Sequence, residues 1–230
     1  MSLERVAVAL DTPEREEFDA WCSLFGPRVG ALKVGLEAFV RWGPAAVGTA
    51  RRHARRLFLD LKLHDIPNTV AGAVGAARDL GVDLLTVHAG GGEAMLRAAV
   101  ERAGAVQILA VTLLTSMDEA ALHALGLPGS PAERVRSWAE LAHRSGCAGV
   151  VCSPQEVATL RAALPRPFLL VTPGIRAAGD AAGDQRRTAT AAAAIARGAD
   201  LIVVGRPLTR AADPLRALAA LAGELDTAAG

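Results

Sequence analysis

A short apolar run recurs along the chain every ~20–30 residues, and an Ala- and Leu-rich stretch of helical character follows each run. The runs are rich in Val, Ile and Leu and are apolar on both faces, which is typical of parallel strands covered by helices. We predict strands at Val6–Leu10, Ala31–Gly35, Leu57–Leu63, Leu84–His88, Gln107–Leu114, Gly149–Cys152, Phe168–Thr172 and Leu201–Gly205. The intervening helices that we predict include Val70–Leu80, Glu93–Ala103, Ala132–Ser145 and Thr190–Arg197.

Eight strand–helix units in 230 residues predict an α/β fold, a single-domain (β/α)8 TIM barrel that spans residues 1–230. A glycine follows each of four predicted helices, as expected at helix ends: Gly81, Gly104, Gly146 and Gly198. Ser153-Pro154 is predicted to begin a further helix, with the serine as cap. An open, doubly wound sheet is the alternative. It usually has fewer strands and often carries a glycine fingerprint after strand one, where this chain has Leu10-Asp11-Thr12-Pro13.

The composition is that of a globular protein, with 51% hydrophobic and 21% charged residues. A net charge of +1 gives no electrostatic reason to expect nucleic acid or an anionic membrane as partner. No run approaches the ~20 apolar residues that span a bilayer. The 3 cysteines lack metal-ligand spacing, and their odd number argues against a disulfide framework, so we expect a cytoplasmic protein.

Charged residues stand at the carboxyl ends of the predicted strands, where barrels of this type place their chemistry. Asp60 and Lys62 are two residues apart on one strand, so we expect their side chains to point the same way. Lys33 lies on the neighbouring strand and can stand beside them in the barrel mouth, and Asp65 follows in the next loop. The four make an alternating set of cations and anions. It is either a salt-bridge network that closes the barrel or a site whose charges act on a substrate.

The segment from Asp60 to Thr69, DLKLHDIPNT, closely resembles the signature of the orotidine 5′-phosphate decarboxylase family. Further strand-end motifs resemble that family in the same order: Ala9-Leu10-Asp11, Leu32-Lys33-Val34-Gly35, Val87-His88-Ala89, Leu114-Thr115-Ser116, Pro173-Gly174-Ile175-Arg176, Gly183-Asp184-Gln185 and Val204-Gly205-Arg206. One motif alone would be weak, but the ordered set covers nearly the whole chain. One departure is that Ala191 follows Thr190 where the family usually has proline, although Thr190 can still cap the helix.

The resemblance implies decarboxylation of orotidine 5′-monophosphate to uridine 5′-monophosphate in pyrimidine biosynthesis, without metal or cofactor. Lys62 matches the family's proton donor, and the rest of its charged tetrad is matched by Lys33, Asp60 and Asp65. In the family, the residues matching Asp65, Ile66 and Thr69 reach into the partner's site, which implies a homodimer with shared active sites.

The resemblance also implies how the nucleotide is held. Asp11 together with Lys33 matches the residues that bind the ribose, and Thr115-Ser116 matches the turn that reads the pyrimidine edge. The phosphate-binding group is matched by Arg176, Gln185, Gly205 and Arg206. Phosphate binding is expected to close the loop around Ala177–Asp184, because the segment Gly174–Gln185 has the small residues and glycines of a lid; a passive surface loop is the alternative.

Two other functions remain open from the sequence. Sugar-phosphate enzymes such as 3-keto-L-gulonate 6-phosphate decarboxylase and hexulose-phosphate synthase share an Asp-x-Lys-x-x-Asp strand, but they use magnesium with a glutamate on strand two. This chain has Lys33 there, and an ammonium does not bind a cation. The other possibility is a barrel that binds phosphorylated ligands without turnover.

His64 and His88 lie near the site and are interpreted as packing residues.

Overall fold

The computed structural model describes residues 2–175 and 188–227, and within them a closed barrel of parallel strands is surrounded by helices. The strands are β1 Val6–Ala9, β2 Ala31–Gly35, β3 Leu57–Leu63, β4 Leu84–His88, β5 Gln107–Val111, β6 Gly149–Val151, β7 Leu169–Thr172 and β8 Leu201–Val204. Each strand pairs with the next in chain order, and β8 pairs with β1. The predicted (β/α)8 barrel is confirmed.

The described helices follow the strands in chain order, and the last two come after β8. They are α1 Arg15–Phe25, α2 Leu36–Trp42, α3 Pro44–His53, α4 Pro67–Asp79, α5 Gly92–Ala103, α6 Glu119–Ala124, α7 Pro131–Arg144, α8 Val157–Ala163, α9 Ala191–Ala196, α10 Arg206–Thr209 and α11 Pro214–Thr227. Short 3-10 helices occupy Ser2–Arg5 and Ala89–Gly91. No helix in this part of the chain combines the length and the apolar character that crossing a membrane requires.

The predicted helix ends are confirmed at the glycines. Each has a positive φ, which a residue without Cβ adopts at no steric cost: Gly81, Gly104, Gly146 and Gly198. Thr190 caps α9 as expected, because its side chain accepts a hydrogen bond from the Ala193 N–H. Helix α4 begins at Pro67, earlier than the predicted Val70, because proline suits the first helical position.

Two further predicted boundaries are wrong, each by three residues. Helix α8 begins at Val157 rather than at Pro154, because the Ser153 N–H donates to the Glu156 carboxylate at 2.8 Å and closes a turn before the helix. Strand β5 ends at Val111 rather than at Leu114. A turn follows in which the Met117 N–H donates to the Leu114 carbonyl oxygen at 2.9 Å.

The barrel interior is filled by apolar side chains in its lower part and by polar side chains above them. Alternate strand residues form a separate buried cluster in the lumen: Ala7, Ala9, Ala31, Phe58, Leu84, Leu109, Val171, Leu201 and Val203. Alanines on β1 and β2 leave room for the ring of Phe58 in the lower barrel. Polar residues continue the lumen-facing series above this layer, so the apolar cluster forms the floor of the site and the polar residues stand in its walls.

Two carboxylates at the amino-terminal rim of the barrel tie neighbouring strands together. Asp83 precedes β4 and accepts a hydrogen bond from the Leu57 N–H of β3 at 2.6 Å and from Arg51 at 2.5 Å. Asp200 precedes β8, accepts from the Leu170 N–H of β7 at 2.8 Å and is paired with Arg161. These contacts fix strand register at the end opposite the site. Charge-assisted hydrogen bonds of this kind contribute about 1.5–3 kcal/mol each.

Candidate active site

A cavity of about 420 Å³ opens at the carboxyl ends of the strands, a volume within the range typical of small-molecule sites. Its lining combines lumen residues with residues of the strand-end loops: Ala9, Asp11, Lys33, Glu37, Phe58, Asp60, Lys62, Val111, Leu113, Leu114, Thr115, Val151, Cys152, Pro173, Gly174, Val203, Gly205, Arg206, Thr209 and Arg210. The charged side chains stand on an apolar floor. Electrostatic interactions there are stronger than in bulk water.

Three of the four predicted tetrad residues meet in this cavity. The Asp60 carboxylate lies between two ammonium groups, with Oδ1 2.9 Å from Lys62 Nζ and Oδ2 3.2 Å from Lys33 Nζ. Lys33 Nζ is also 3.6 Å from Asp11 Oδ2. The side chain of Lys33 is 7% exposed, whereas that of Lys62 is 33% exposed. The buried lysine therefore anchors the network, and the more exposed one is available to a ligand.

The network keeps its buried members charged. Burial alone would raise the pKa of Asp60, but Lys33 and Lys62 lower it to about 2. Burial alone would lower the pKa of Lys33, but the carboxylates of Asp60 and Asp11 raise it above its ordinary value. Each of these buried charges is thus stabilised by its neighbours rather than neutralised.

Lys62 has an unusual backbone. Its φ is +51°, the left-handed region that residues other than glycine seldom adopt, at a cost of about 1–3 kcal/mol. The pairing of β3 with β4 shifts between Leu59 and Leu63, so β3 holds more residues than β4 over this stretch. The predicted convergence of Asp60 and Lys62 is observed, but it arises from an irregular strand rather than from simple alternation.

Two residues that the sequence analysis did not single out shape this site. Thr86 of β4 is fully buried, and its hydroxyl contacts both Asp60 and the backbone of Lys62. A Cβ on Gly35 would lie 2.4 Å from Asp11 Oδ1 and 3.0 Å from Lys33 Nζ, so a larger residue would have to displace the Asp11 carboxylate from this ion pair. The available signal for Thr86 was a hydroxyl in the middle of an apolar strand. Gly35 lay in a quoted motif but without a role.

Only some of the predicted nucleotide-binding residues line the cavity in the described part of the chain. Thr115, Gly205 and Arg206 line the cavity, together with Asp11. Ser116 is exposed next to Thr115 and does not line it. Arg176 and Gln185, with most of the loop Gly174–Gln185, lie outside the described residues.

The fourth tetrad residue is elsewhere. Asp65 is exposed in the loop after β3 and accepts a hydrogen bond from the Ile66 N–H at 2.6 Å. It lines a separate open depression on the same side of the barrel with His64, Ile66, Pro67, Gly90 and Gly91. Ile66 is 66% exposed, and Thr69 is exposed as well. A single chain therefore does not bring Asp65, Ile66 or Thr69 to the cavity.

His64 and His88 stack beside this depression, with ring centroids 5.1 Å apart, and His88 meets the edge of Trp138 at 5.7 Å. His88 Nδ1 accepts the Gly90 N–H at 3.1 Å, so the proton of the neutral ring is on Nε2. Burial, followed by His64 and Lys62, lowers the pKa of His88. The packing role expected for both histidines agrees with these contacts.

The depressed pKa of His88 predicts a loss of stability in mild acid. The folded state favours the neutral ring of His88. The contribution of His88 to the free energy of unfolding is therefore fully present above pH 6.5, its ordinary pKa, and is lost as the pH falls below that value. Urea unfolding at pH 7.5 and 5.5 should show a smaller difference in the free energy of unfolding for His88→Gln than for wild type. His123→Gln, at an exposed position in α6, is the control. An unchanged difference in His88→Gln would contradict the prediction.

Within the described ranges, no cluster of three or more His, Cys, Asp or Glu side chains is arranged to hold a metal ion. The carboxylates of Asp11 and Asp60 are instead bridged by the ammonium of Lys33. Fixed charges are thus held in a partly closed cavity, and this arrangement can stabilise negative charge that develops on a ligand.

Comparison with known proteins gives consistent matches. The family model described as orotidine 5′-phosphate decarboxylase / HUMPS matches residues 4–221. The orotidine 5′-phosphate decarboxylases of Thermobifida fusca and Anaeromyxobacter sp. are each 55% identical to this chain, over 96% of its length and over 95% and 98% of theirs. The crystal structure of the Lactobacillus acidophilus orotidine 5′-phosphate decarboxylase superposes with a TM-score of 0.83 at 38% identity, covering 96% of this chain and 98% of that one.

Proposed function

The chain belongs to the orotidine 5′-phosphate decarboxylase / HUMPS family, and we propose that it converts orotidine 5′-monophosphate to uridine 5′-monophosphate without metal or cofactor, with Lys62 as the acid. The observation that carries this proposal is the pair of ammonium groups held by Asp60 at the cavity wall, 2.9 Å and 3.2 Å from its oxygens. The substrate assignment follows the 55% identical decarboxylases.

The reaction needs stabilisation of a localised carbanion. When carbon dioxide leaves C6 of the pyrimidine, the electron pair stays in the ring plane, where no adjacent carbonyl delocalises it. The barrier is at the hard end of the ~8–23 kcal/mol that enzymes typically remove. The Lys62 ammonium faces the developing charge and then donates its proton to C6, so that carbon dioxide and the C6-protonated nucleotide are the products.

Asp60 and Lys33 prepare Lys62 for this step. The depressed pKa of Asp60 keeps the carboxylate ionised, so it holds Lys62 Nζ in place before substrate arrives. Lys33 stabilises the second oxygen of Asp60 from the buried side. Charges that are already in place lose little free energy to reorganisation during the reaction, which suits a fixed ion network to this chemistry.

The remainder of the cavity suits a nucleotide. Arg206 follows β8, where barrels commonly bind phosphate, and in our proposal Arg176, Gln185 and Gly205 complete that group. The ribose lies against Asp11 and Lys33. Thr115-Ser116 read the polar edge of the pyrimidine. Binding of the distant phosphate then helps to organise the reacting end, through closure of the loop Gly174–Gln185.

We further propose that the enzyme is a homodimer in which each site takes Asp65, Ile66 and Thr69 from the partner. Support comes from their exposure on one chain, above all the 66% exposure of Ile66, an apolar side chain that contact with a second chain would bury. In the partner's site Asp65 would lie near the substrate carboxylate. The repulsion between the two groups would be relieved as carbon dioxide leaves.

The position of Lys33 argues against the magnesium-dependent sugar-phosphate reaction. Its ammonium pairs with the carboxylates of both Asp11 and Asp60. A divalent cation here would need those oxygen atoms as ligands, and the ammonium already takes them. The free and buried thiols Cys22, Cys147 and Cys152 support the cytoplasm as the compartment that we propose.

The proposed activity is tested by the loss of orotidine 5′-monophosphate absorbance with pure protein, in the presence and absence of EDTA. We expect turnover at equal rates in both conditions. Activity that disappears with EDTA and returns with magnesium would contradict the cofactor-free mechanism. No turnover in either condition, together with measurable nucleotide binding, would instead support a barrel that binds without catalysis.

A further inference from the structure

Thr86 contacts Lys62 and Asp60 through one side-chain oxygen. It lies in the middle of β4, between Leu84 and His88 on the lumen-facing side, and is 0% exposed. Its Oγ1 is 2.9 Å from the Lys62 backbone nitrogen and 2.9 Å from Asp60 Oδ1. The backbone N–H can only donate and the ionised carboxylate can only accept. The hydroxyl therefore accepts from Lys62 and donates to Asp60.

This geometry ties Lys62 at both of its ends. Its backbone nitrogen is held by Thr86 directly, at the residue whose φ of +51° interrupts the regular strand. Its ammonium is held through Asp60 Oδ1, the same oxygen that accepts the Thr86 hydroxyl. In a regular ladder the Lys62 N–H would pair with a backbone carbonyl of a neighbouring strand. At this register shift a side-chain hydroxyl takes that place.

We infer that Thr86 is a positioning residue for the proposed reaction, one that holds the left-handed backbone of Lys62 and the Asp60 carboxylate in a single fixed arrangement. The inference rests on the proposed function, because it concerns the group that acts on C6. Thr86 lies beneath the charged network and acts through Lys62 and Asp60 rather than by touching the nucleotide.

A positioning role predicts an effect on the chemical step rather than on binding. Thr86→Val keeps the branched shape but removes the hydroxyl, so Lys62 loses its backbone partner and Asp60 loses one donor. A displacement of the acid by about 1 Å lowers the rate by about 10²-fold, and we expect kcat to fall by that order. KM should change by less than about threefold, because Arg206 and Thr115 still bind the nucleotide.

The chain offers a matched control in Thr112. It is also 0% exposed and follows β5, and its hydroxyl donates to the Val151 carbonyl oxygen at 2.9 Å, outside the charged network. Thr112→Val removes one buried hydrogen bond, so this variant should also lose thermal stability, but less than Thr86→Val, which loses two, one of them to a carboxylate. Only Thr86→Val should lose kcat. Thr86→Ser, which retains the hydroxyl, should recover kcat to within about tenfold of wild type.

Steady-state kinetics, UMP affinity and thermal unfolding of the wild type and these three variants form the test. If Thr86→Val does not fold, Thr86→Cys offers a weaker donor and acceptor of similar size and should show an intermediate loss of kcat. An unaltered kcat in Thr86→Val or in its cysteine substitute, an equal loss in Thr112→Val, or no recovery in Thr86→Ser would overturn the positioning role alone. A wild-type chain without turnover would overturn the proposed function and the positioning role with it.

Discussion

Lys62→Ala is expected to lower kcat for orotidine 5′-monophosphate decarboxylation by about 10⁴-fold or more, while UMP binding stays measurable. General acid catalysis and electrostatic stabilisation each contribute at least about 10²-fold, and Lys62 is proposed to supply both. The fold should persist, because Asp60 keeps its contact with Lys33 at 3.2 Å and with the hydroxyl of Thr86. The rate effect is therefore separable from unfolding.

Single-turnover rates and UMP titrations of the purified variant measure the two effects. Arg136→Ala is a control for removal of a cation, because Arg136 pairs with Glu140 on an exposed face of α7 far along the chain from the charged network. This control should retain wild-type kinetics. Near-normal turnover in Lys62→Ala would remove Lys62 from its proposed role, whatever the similarity of the surrounding sequence.

Mixed dimers of Lys62→Ala and Asp65→Ala chains are expected to recover about a quarter of the wild-type activity from two nearly inactive parents. In equal proportions, half of the dimers combine one chain of each type. Each such dimer has one site with both residues intact if Asp65 acts on the partner's site. The two variants are refolded together, and activity per chain is compared with that of each parent.

Lys62→Ala mixed with Asp60→Ala is the matched control. These residues contact each other at 2.9 Å within one chain, so every site in a mixed dimer lacks one of them and no activity should return. Recovery in the first mixture and none in the second would place Asp65 in the partner's site. Equal behaviour of the two mixtures would contradict shared sites.

The fold was largely predictable because its strands consist mainly of apolar residues and are mostly buried on both faces. The first and last residues of the strands and helices were less predictable. Strand β5 ends early at a turn stabilised by backbone hydrogen bonds, and the start of α8 is displaced by the Glu156 side chain. Such local contacts compete with helix or strand propensity and have no period in the sequence.

The charged cluster was predictable because ionised side chains at strand ends of an apolar barrel need a reason to be there. The geometry in which these charged side chains meet was not predictable from the sequence. Side-chain alternation assumes a regular strand, whereas Lys62 lies in a left-handed conformation, with its backbone N–H donating to Thr86 of the next strand. The separation of Asp65 from the cavity depends on the path of the loop after β3, and alternation along a strand carries no information about that path.

The carboxylate clamps of Asp83 and Asp200 at the lower rim bear on how this enzyme tolerates change. They secure neighbouring strands at the end opposite the cavity, so the end that carries Lys62 can keep an unfavourable backbone without loosening the whole barrel. Folding robustness and reactivity are thus assigned to opposite ends of the same strands. Substitutions that stabilise the amino-terminal rim should therefore leave the proposed reaction at the other end of the strands unchanged.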